Sequence, residues 1–295
     1  MTQLFTDTSA NLPAEIIDEY GIEVVPFSYT IDGVEYISER EFDGKAFYAA
    51  MRAGSEVKTS MVNAGTFIER FKTALDAGKD VLYIGMSGGI SGTANAALMA
   101  KQELDEEYPD RKIVVIDTLA ASLGEGMFVI KAAEQLKDGV ALDAIEEAIR
   151  AQVPSMCQSF TVDDLKYLKN TGRVSGAAAI IGNVLSIHPI LIGDYEGKIV
   201  VKAKVRGMKR TLDALAERYA ELALSKTETI GIAHADNEEG KAYLVQRLRD
   251  KGLTGKCLSV CYEPVTGSHV GPGTVALFFF GTDRMGYSDC QKTMF

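Results

Sequence analysis

The sequence predicts a two-domain α/β protein, with an N-terminal three-layer α/β/α domain on a mostly parallel sheet and a C-terminal domain on a mixed sheet. The chain has 295 residues, and single hydrophobic cores stop growing at about 250 to 300 residues, which favours two domains. In the first half, short apolar runs alternate with segments that carry apolar residues at helical spacing, as in parallel sheets covered by helices. Further along, a hairpin pattern interrupts this alternation.

The N-terminal domain is expected to alternate strands with helices. The strand candidates are the apolar runs at residues 4–6, 23–26, 81–84 and 113–116. Apolar residues recur at helical spacing in residues 13–20, 44–53, 64–77, 92–106 and 125–136. Right-handed crossovers between parallel strands would place these helices in layers around the sheet.

The second half predicts a mixed sheet. After a helix at residues 142–151, residues 190–193 and 198–204 flank the turn-rich segment 194–197, which indicates an antiparallel hairpin. Strands at 229–234, 258–262 and 274–280 then alternate with helices at 208–224 and 238–249. The predicted domain limits are 1–160 and 161–281, followed by a loosely ordered tail at 282–295.

The charge and the start of the chain exclude several classes of function. A net charge of -10 opposes non-specific binding to nucleic acid, which requires Lys and Arg to displace counterions from phosphates. The densest basic group, Lys202, Lys204, Arg206, Lys209 and Arg210, fits a solvated face as well as a binding patch. No basic segment followed by an apolar run opens the chain, so a cytoplasmic protein without a signal peptide is expected.

Cysteine and histidine spacing gives no sign of a metal site. The four cysteines lack the CxxC spacing of zinc and redox sites, and free thiols suit a cytoplasmic protein. No pair of the three histidines has metal-ligand spacing. We expect neither a metal nor a cofactor.

A Gly/Ser loop after the strand at 81–84 predicts an anion site. Open α/β sheets bind ligands outside the carboxyl ends of their strands. Here the strand runs through Gly85-Met86-Ser87-Gly88-Gly89-Ile90-Ser91 into a helix that starts near Gly92. Backbone amides at that helix start, with the hydroxyls of Ser91 and Thr93, suit a carboxylate or a phosphate. Helix capping by Ser91 is the simpler alternative.

Two other loops bring hydroxyl groups to helix starts. In Lys58-Thr59-Ser60-Met61-Val62-Asn63, the hydroxyls of Thr59 and Ser60 would complete the anion pocket if this loop lies beside Ser91. In Thr6-Asp7-Thr8-Ser9, a side chain is expected to cap the next helix, with Pro13 near its first turn.

The Gly/Ser loop also supports a hydrolase alternative. Gly85-Met86-Ser87-Gly88-Gly89 matches the GxSxG nucleophile elbow, so an esterase or thioesterase using Ser87 or Ser91 is a competing hypothesis. Such an enzyme needs an acid and a histidine downstream, and only His234 and His269 are available there. A third hypothesis is a sensor of a non-lipid small molecule.

In the second half, single cationic or titratable residues lie beside turn-forming residues. His269 precedes Val270-Gly271-Pro272-Gly273, where a ring with an ordinary pKa could carry a proton or contact an oxyanion. Arg173 and Arg206 are placed for phosphate or carboxylate contacts. An incidental turn histidine is the alternative for His269.

Taken in order, these segments resemble the DegV family, which includes the fatty-acid-binding subunits of bacterial fatty acid kinase. The resemblance covers most of residues 3–281, and its carriers are Thr6-Asp7-Thr8-Ser9, Lys58-Thr59-Ser60, Ser87-Gly88-Gly89-Ile90-Ser91-Gly92-Thr93, Ile116-Asp117-Thr118, Ala121-Ser122-Leu123-Gly124-Glu125-Gly126, Phe160-Thr161-Val162-Asp163-Asp164-Leu165, Gly172-Arg173-Val174-Ser175, Lys204-Val205-Arg206-Gly207 and His269-Val270-Gly271-Pro272-Gly273. At Met61-Val62-Asn63 the chain departs from the family, in which a Gln-Pro-Ser type of sequence is usual.

The resemblance implies a lipid-binding carrier subunit rather than an enzyme. It implies that Thr59 and Ser91 bind the carboxylate of one long-chain fatty acid, and we add Ser60, Gly92 and Thr93 to this group. It places Arg173, Arg206 and His269 near the head group or on the kinase-facing surface. A separate ATP-binding kinase subunit would phosphorylate the bound carboxylate, which fits the lack of a P-loop here. The acyl phosphate would enter phospholipid synthesis, with an acyltransferase and transient membrane contact as further partners.

Overall fold

A computed structural model describes residues 1–38, 42–174 and 187–286. The chain forms two compact units. The first contains Met1–Val153 and Tyr262–Ser268, and the second contains Pro154–Cys261 and His269–Phe295. Among the described helices, none is long and apolar enough to cross a lipid bilayer.

The first unit alternates strands with helices. Its elements in chain order are β1 (Thr2–Asp7), α1 (Ala14–Tyr20), β2 (Glu23–Val25), β3 (Ser28–Ile31), β4 (Val34–Ile37), α2 (Gly44–Ala53), β5 (Val57–Ser60), α3 (Ala64–Asp76), β6 (Asp80–Gly85), α4 (Thr93–Glu107), β7 (Ile113–Asp117), α5 (Leu123–Lys137) and α6 (Leu142–Gln152). Four strands form the predicted parallel sheet in the order β2-β1-β6-β7. The side chains of Val81, Leu82 and Ile84 in central β6 are completely buried, as expected for a strand with both faces covered.

A small antiparallel sheet in the order β4-β3-β5 was not expected from the sequence. Its strands are short, and all four residues of β4 are exposed. Such a strand carries no apolar alternation for a sequence pattern to detect. The sheet positions the predicted hydroxyls of β5, because Thr59 pairs with Tyr29 and Ser60 pairs with Ser28.

The second unit contains the predicted mixed sheet. Its elements are β8 (Met156–Thr161), α7 (Lys166–Asn170), β9 (Ile187–Gly193), β10 (Ile199–Arg206), α8 (Met208–Leu222), β11 (Ile230–His234), α9 (Glu238–Asp250), β12 (Cys257–Cys261), α10 (Pro264–Val270), which begins in the first unit, and β13 (Val275–Phe280). The strand order is β10-β9-β8-β13-β11-β12, and among the neighbouring pairs of these described strands β11 and β12 pair in parallel while the others pair antiparallel. The hairpin of β9 and β10 lies where the sequence predicts it.

The units divide at Val153 and Pro154 rather than at residue 160. The reason is β8, which pairs with β13 and β9 and so belongs as a whole to the second sheet. A second crossing returns Tyr262–Ser268 to the first unit, where Tyr48 Oη donates a 2.8 Å hydrogen bond to the carbonyl of Tyr262.

The start of the predicted tail is packed. The Thr282 N–H donates to the carbonyl of Leu222 at 2.8 Å, and Arg284 is only 1% exposed. Residues 287–295, which include Cys290, lie outside the described residues, as does Ser175. The expectation of a loosely ordered tail is therefore wrong for residues 282–286.

Candidate functional site

Three polar loops meet at the carboxyl edge of the parallel sheet. They follow β1, β6 and β7, and hydrogen bonds join the loop after β6 to each of the other two. The Met86 N–H donates to Asp7 Oδ2 at 3.3 Å, and the Gly88 N–H donates to Asp117 Oδ2 at 2.9 Å. The Ser87 N–H donates to the carbonyl of Ala120 at 2.8 Å. The loop after β6 is therefore held from both neighbouring strands.

The turn from Ser91 to Thr93 leads into α4 and carries a hydroxyl pair. Gly92 is the N-cap residue, and no side-chain cap hydrogen bond is made at that position. Ser91 Oγ accepts from the Thr93 N–H at 3.3 Å and lies 2.9 Å from Thr93 Oγ1. Ser91 therefore accepts from the first backbone N–H of α4 although it is not itself the N-cap residue. The hydroxyls of Ser91 and Thr93 carry two protons, and their mutual hydrogen bond uses one of them. The other proton can be donated to a ligand.

The loop after β5 lies beside this turn. Met61 follows Ser60 directly, and its Sδ lies 2.7 Å from the point where a Cβ on Gly92 would stand. Thr59 is half-buried and Ser60 is exposed. Adjacent strand residues point to opposite faces of a sheet, so these two hydroxyls do not face one ligand together. Thr59, on the same face as Tyr29, is the better enclosed of the two.

A buried network of acidic side chains and hydroxyls lies behind the same edge and was not singled out from the sequence. Tyr83 Oη donates to Asp7 Oδ2 at 2.6 Å, and the Ser9 N–H donates to Asp7 Oδ1 at 2.9 Å. Ser9 Oγ donates to Glu125 Oε2. Asp7 thus caps the short 3-10 turn Thr8–Ala10 rather than α1, whose N-cap is Pro13.

The hydrogen-bond pattern places a proton on Glu125. Thr6 Oγ1 lies 2.8 Å from the carbonyl oxygen of Ile84, which only accepts, so the single hydroxyl proton of Thr6 is used there. Thr6 Oγ1 also lies 3.0 Å from Glu125 Oε1, and because its one proton cannot serve both acceptors fully, this contact is satisfied when Glu125 carries a proton. Burial, reinforced by the charge of Asp7, holds the pKa of Glu125 well above its usual range. Burial also raises the pKa of Asp7.

A small pocket of about 40 Å³ opens beside the ends of β1 and β2. Its lining residues are Thr6, Asp7, Thr8, Ala10, Asn11, Leu12, Ile17, Val24, Phe42 and Glu263. Glu263 is fully enclosed and accepts from the backbone N–H groups of Val265 and Thr266, each at 2.6 Å. Burial raises the pKa of Glu263 to about 7. The pocket is therefore apolar on one side and acidic on the other.

The second unit brings Arg173 near His269. The structure corrects the prediction that His269 lies in a turn, because it occupies the last turn of α10. Burial, with a smaller contribution from the charge of Arg173, lowers the pKa of His269 to about 4, so the ring is neutral near pH 7. Arg206, at the end of β10, is exposed and pairs with Ile187 at the start of β9.

The structure argues against the nucleophile elbow. Ser87 is 1% exposed, and its Oγ accepts from the Gly89 N–H at 3.1 Å. In an elbow the serine stands on the strand-to-helix turn itself, whereas α4 begins only at Thr93. His234 Nε2 lies 3.1 Å from Glu238, and its Nδ1 accepts from the Asn237 N–H.

Within residues 1–38, 42–174 and 187–286, no group of three or more His, Cys, Asp and Glu side chains is arranged to hold a metal ion. Cys157 and Cys257 are free thiols.

The fold and the site define a two-unit α/β protein with a hydroxyl-lined turn at the edge of a parallel sheet. The profile of a family described as "uncharacterised protein, DegV family" matches residues 1–282. The chain belongs to the DegV family. A DegV domain-containing protein of Clostridium perfringens is 38% identical over 284 residues, covering 95% of this chain and 98% of that protein. One of Lactococcus lactis is 32% identical over 282 residues, with coverage of 94% and 96%.

Solved structures share the fold and are described by their ligand. A fatty-acid-binding DegV family protein of Thermus thermophilus is 30% identical and superposes with a TM-score of 0.85, covering 95% of this chain and 99% of that one. The fatty-acid-binding DegV family protein of Streptococcus agalactiae is 32% identical, with a TM-score of 0.85 and coverage of 94% and 98%. A DegV lipid-binding protein of Thermotoga maritima is 28% identical, with a TM-score of 0.83 and coverage of 96% and 99%.

Proposed function

We propose that this protein binds a single long-chain fatty acid and presents its carboxylate to a separate fatty acid kinase, which forms the acyl phosphate. The observation that carries the proposal is the Ser91–Thr93 turn, where a hydroxyl proton is available at the start of α4. The fatty-acid-binding relatives at 30% and 32% identity support the choice of ligand. The sequence contains no P-loop, so in this proposal the partner binds ATP.

The head group is assigned to the first unit. Ser91, Gly92 and Thr93 offer hydroxyl and backbone donors at a helix N-terminus. Thr59 adds a hydroxyl from β5, whose following residue Met61 reaches Gly92. Ser60, predicted beside Thr59, is the weaker candidate because it is exposed and points to the opposite face of the sheet. Uncharged donors orient a carboxylate and leave it nucleophilic, whereas a close ion pair would stabilise its ground state.

The apolar tail needs an enclosed surface within reach of this turn. The small pocket beside β1 and β2, lined on its apolar side by Leu12, Ile17, Val24 and Phe42, is proposed as the place where the tail enters, and it must widen to hold the chain. β2 lies two strands from β6 in the sheet, roughly 10 Å away at the usual strand spacing. A long acyl chain spans that distance. Burial of a 16-carbon tail at ~0.8 kcal/mol per methylene gives an upper bound near ~11 kcal/mol before ordering costs.

Arg173, Arg206 and His269, which belong to the second unit, are proposed to serve the kinase-facing surface. The exposed guanidinium of Arg206 would stabilise the transferring phosphoryl group. Neutral His269 would donate one hydrogen bond without adding positive charge. In this proposal an acyltransferase receives the acyl phosphate, and the protein exchanges fatty acid in transient contact with the membrane. The proposed location is the cytoplasm, where free thiols such as that of Cys257 persist.

Calorimetry on delipidated protein tests the head-group assignment. Ser91→Ala removes a hydrogen bond to a charged group, which costs ~1.5 to 3 kcal/mol, so affinity should fall roughly tenfold to a hundredfold. The matched control is Ser225→Ala, because Ser225 Oγ also lies 2.9 Å from a threonine hydroxyl two residues on and accepts from its N–H at 3.1 Å. Equal affinity of both variants and the wild type would place the head group elsewhere.

A further inference from the structure

Met61 joins the two loops that are assigned to the head group. Its Sδ and Cε lie 2.7 and 3.2 Å from the point where a Cβ on Gly92 would stand. A larger residue at this N-cap position would push the flexible thioether aside. Because Met61 directly follows Thr59 and Ser60, this contact holds the end of β5 against the start of α4.

The position of Met61 is that of a cover. The residue is 51% exposed, so one side of its thioether faces water while the other lies on Gly92. Ser91 beside it is half-buried, and Thr93 is fully buried. A methionine is unbranched and flexible, and its sulfur accepts hydrogen bonds only weakly. It therefore shields one side of the exposed Gly92 and does not compete for the hydroxyl donors.

We propose that Met61 is a positioning residue that closes the solvent side of the head-group turn and slows release of the bound carboxylate. This inference rests on the proposed function and adds a control of ligand release to it. Exclusion of water lowers the local dielectric, which strengthens the hydrogen bonds from Ser91 and Thr93 to a carboxylate.

Ligand release distinguishes a cover from a residue that only stabilises the fold. The measurement is the dissociation rate of palmitate from loaded full-length protein, followed by transfer to an excess of a fatty-acid acceptor. Met61→Ala should release palmitate roughly fivefold faster, which corresponds to about 1 kcal/mol, with an unchanged melting temperature. Met61→Leu conserves volume and should stay within about twofold of the wild-type rate.

Two further variants sharpen the test. Gly92→Ala places a methyl group against the Met61 sulfur and should accelerate release as Met61→Ala does, because the flexible thioether is displaced while the fold is kept. The matched control is Met99→Ala, which removes an exposed methionine further along α4 and should leave the rate unchanged.

The possible results of these measurements distinguish this inference from the proposed function on which it rests. Release at the wild-type rate by Met61→Ala overturns the cover, and so does equal acceleration by Met99→Ala or by Met61→Leu. In each of these cases the wild-type protein still binds palmitate, and the proposed function stands. Failure of the delipidated wild-type protein to take up palmitate at all removes both.

Discussion

Glu125 should behave as a neutral carboxylic acid in the folded protein, and its replacement by glutamine should be tolerated. In Glu125→Gln the amide nitrogen can donate to Thr6 Oγ1, and the amide oxygen can accept from Ser9 Oγ, so the two contacts of Glu125 are preserved. The cost should stay below about 1 kcal/mol. Glu125→Ala loses both contacts and leaves a cavity, which should cost about 2 to 4 kcal/mol.

The raised pKa of Glu125 predicts how the stability of the protein changes with pH. Because the pKa of Glu125 is raised in the folded state, the folded protein keeps a proton that the unfolded chain releases. Stability therefore falls as pH rises from the ordinary carboxyl pKa towards the folded pKa, by about 1.4 kcal/mol per pH unit for one proton. Glu125→Gln removes this contribution, so its unfolding free energy should decline less steeply with pH than that of the wild type.

Denaturant unfolding between pH 5 and pH 9 measures both the cost and the slope. Infrared difference spectroscopy reports the proton directly, because a protonated carboxyl has a C=O band that the carboxylate lacks. The wild-type spectrum should contain one such band that Glu125→Gln loses. The protonated assignment would be refuted by identical carboxyl bands in the two proteins, or by a glutamine variant as unstable as the alanine variant.

Three other outcomes are expected. Burial raises the pKa of Glu263 to about 7. The free energy of unfolding should therefore also fall between about pH 4.5 and 7, by at most about 3 kcal/mol. In Glu263→Gln, denaturant unfolding at a series of pH values should show a smaller decrease over this range. Val24→Phe fills the pocket beside β2 and should weaken binding of C16 more than of C12 fatty acids in calorimetry, whereas equal losses would place the tail elsewhere. Arg206→Ala and His269→Ala should retain fatty acid but support slow kinase-dependent acyl phosphate formation, and full turnover by both would exclude the kinase-facing assignment.

The sequence predicted the elements that have a strong apolar period. The buried run of β6 and the hairpin of β9 and β10 follow directly from apolar pattern and turn residues. The small sheet could not be predicted, because exposed β4 has no buried face. The return of Tyr262–Ser268 to the first unit depends on packing between residues far apart in the chain, which local patterns do not contain.

The candidate site could likewise be predicted only in part. A Gly/Ser loop between a buried strand and a helix identified the turn at Ser91, because helix starts and their caps are local features. The proximity of Met61 to Gly92 and the proton on Glu125 depend on contacts between separate elements. The prediction that His269 lies in a turn was wrong. Gly271 and Pro272, which follow α10, are typical turn residues, and they led to a turn being predicted where the helix ends.

Native mass spectrometry of the purified chain tests the central claim most directly. The account predicts a complex heavier than the 31.9 kDa chain by the mass of one long-chain fatty acid, either retained from the expression host or restored after delipidation by incubation with C12 to C20 fatty acids. A chain that stays at its unliganded mass with each of these fatty acids, while its melting temperature shows that it is folded, would contradict the account.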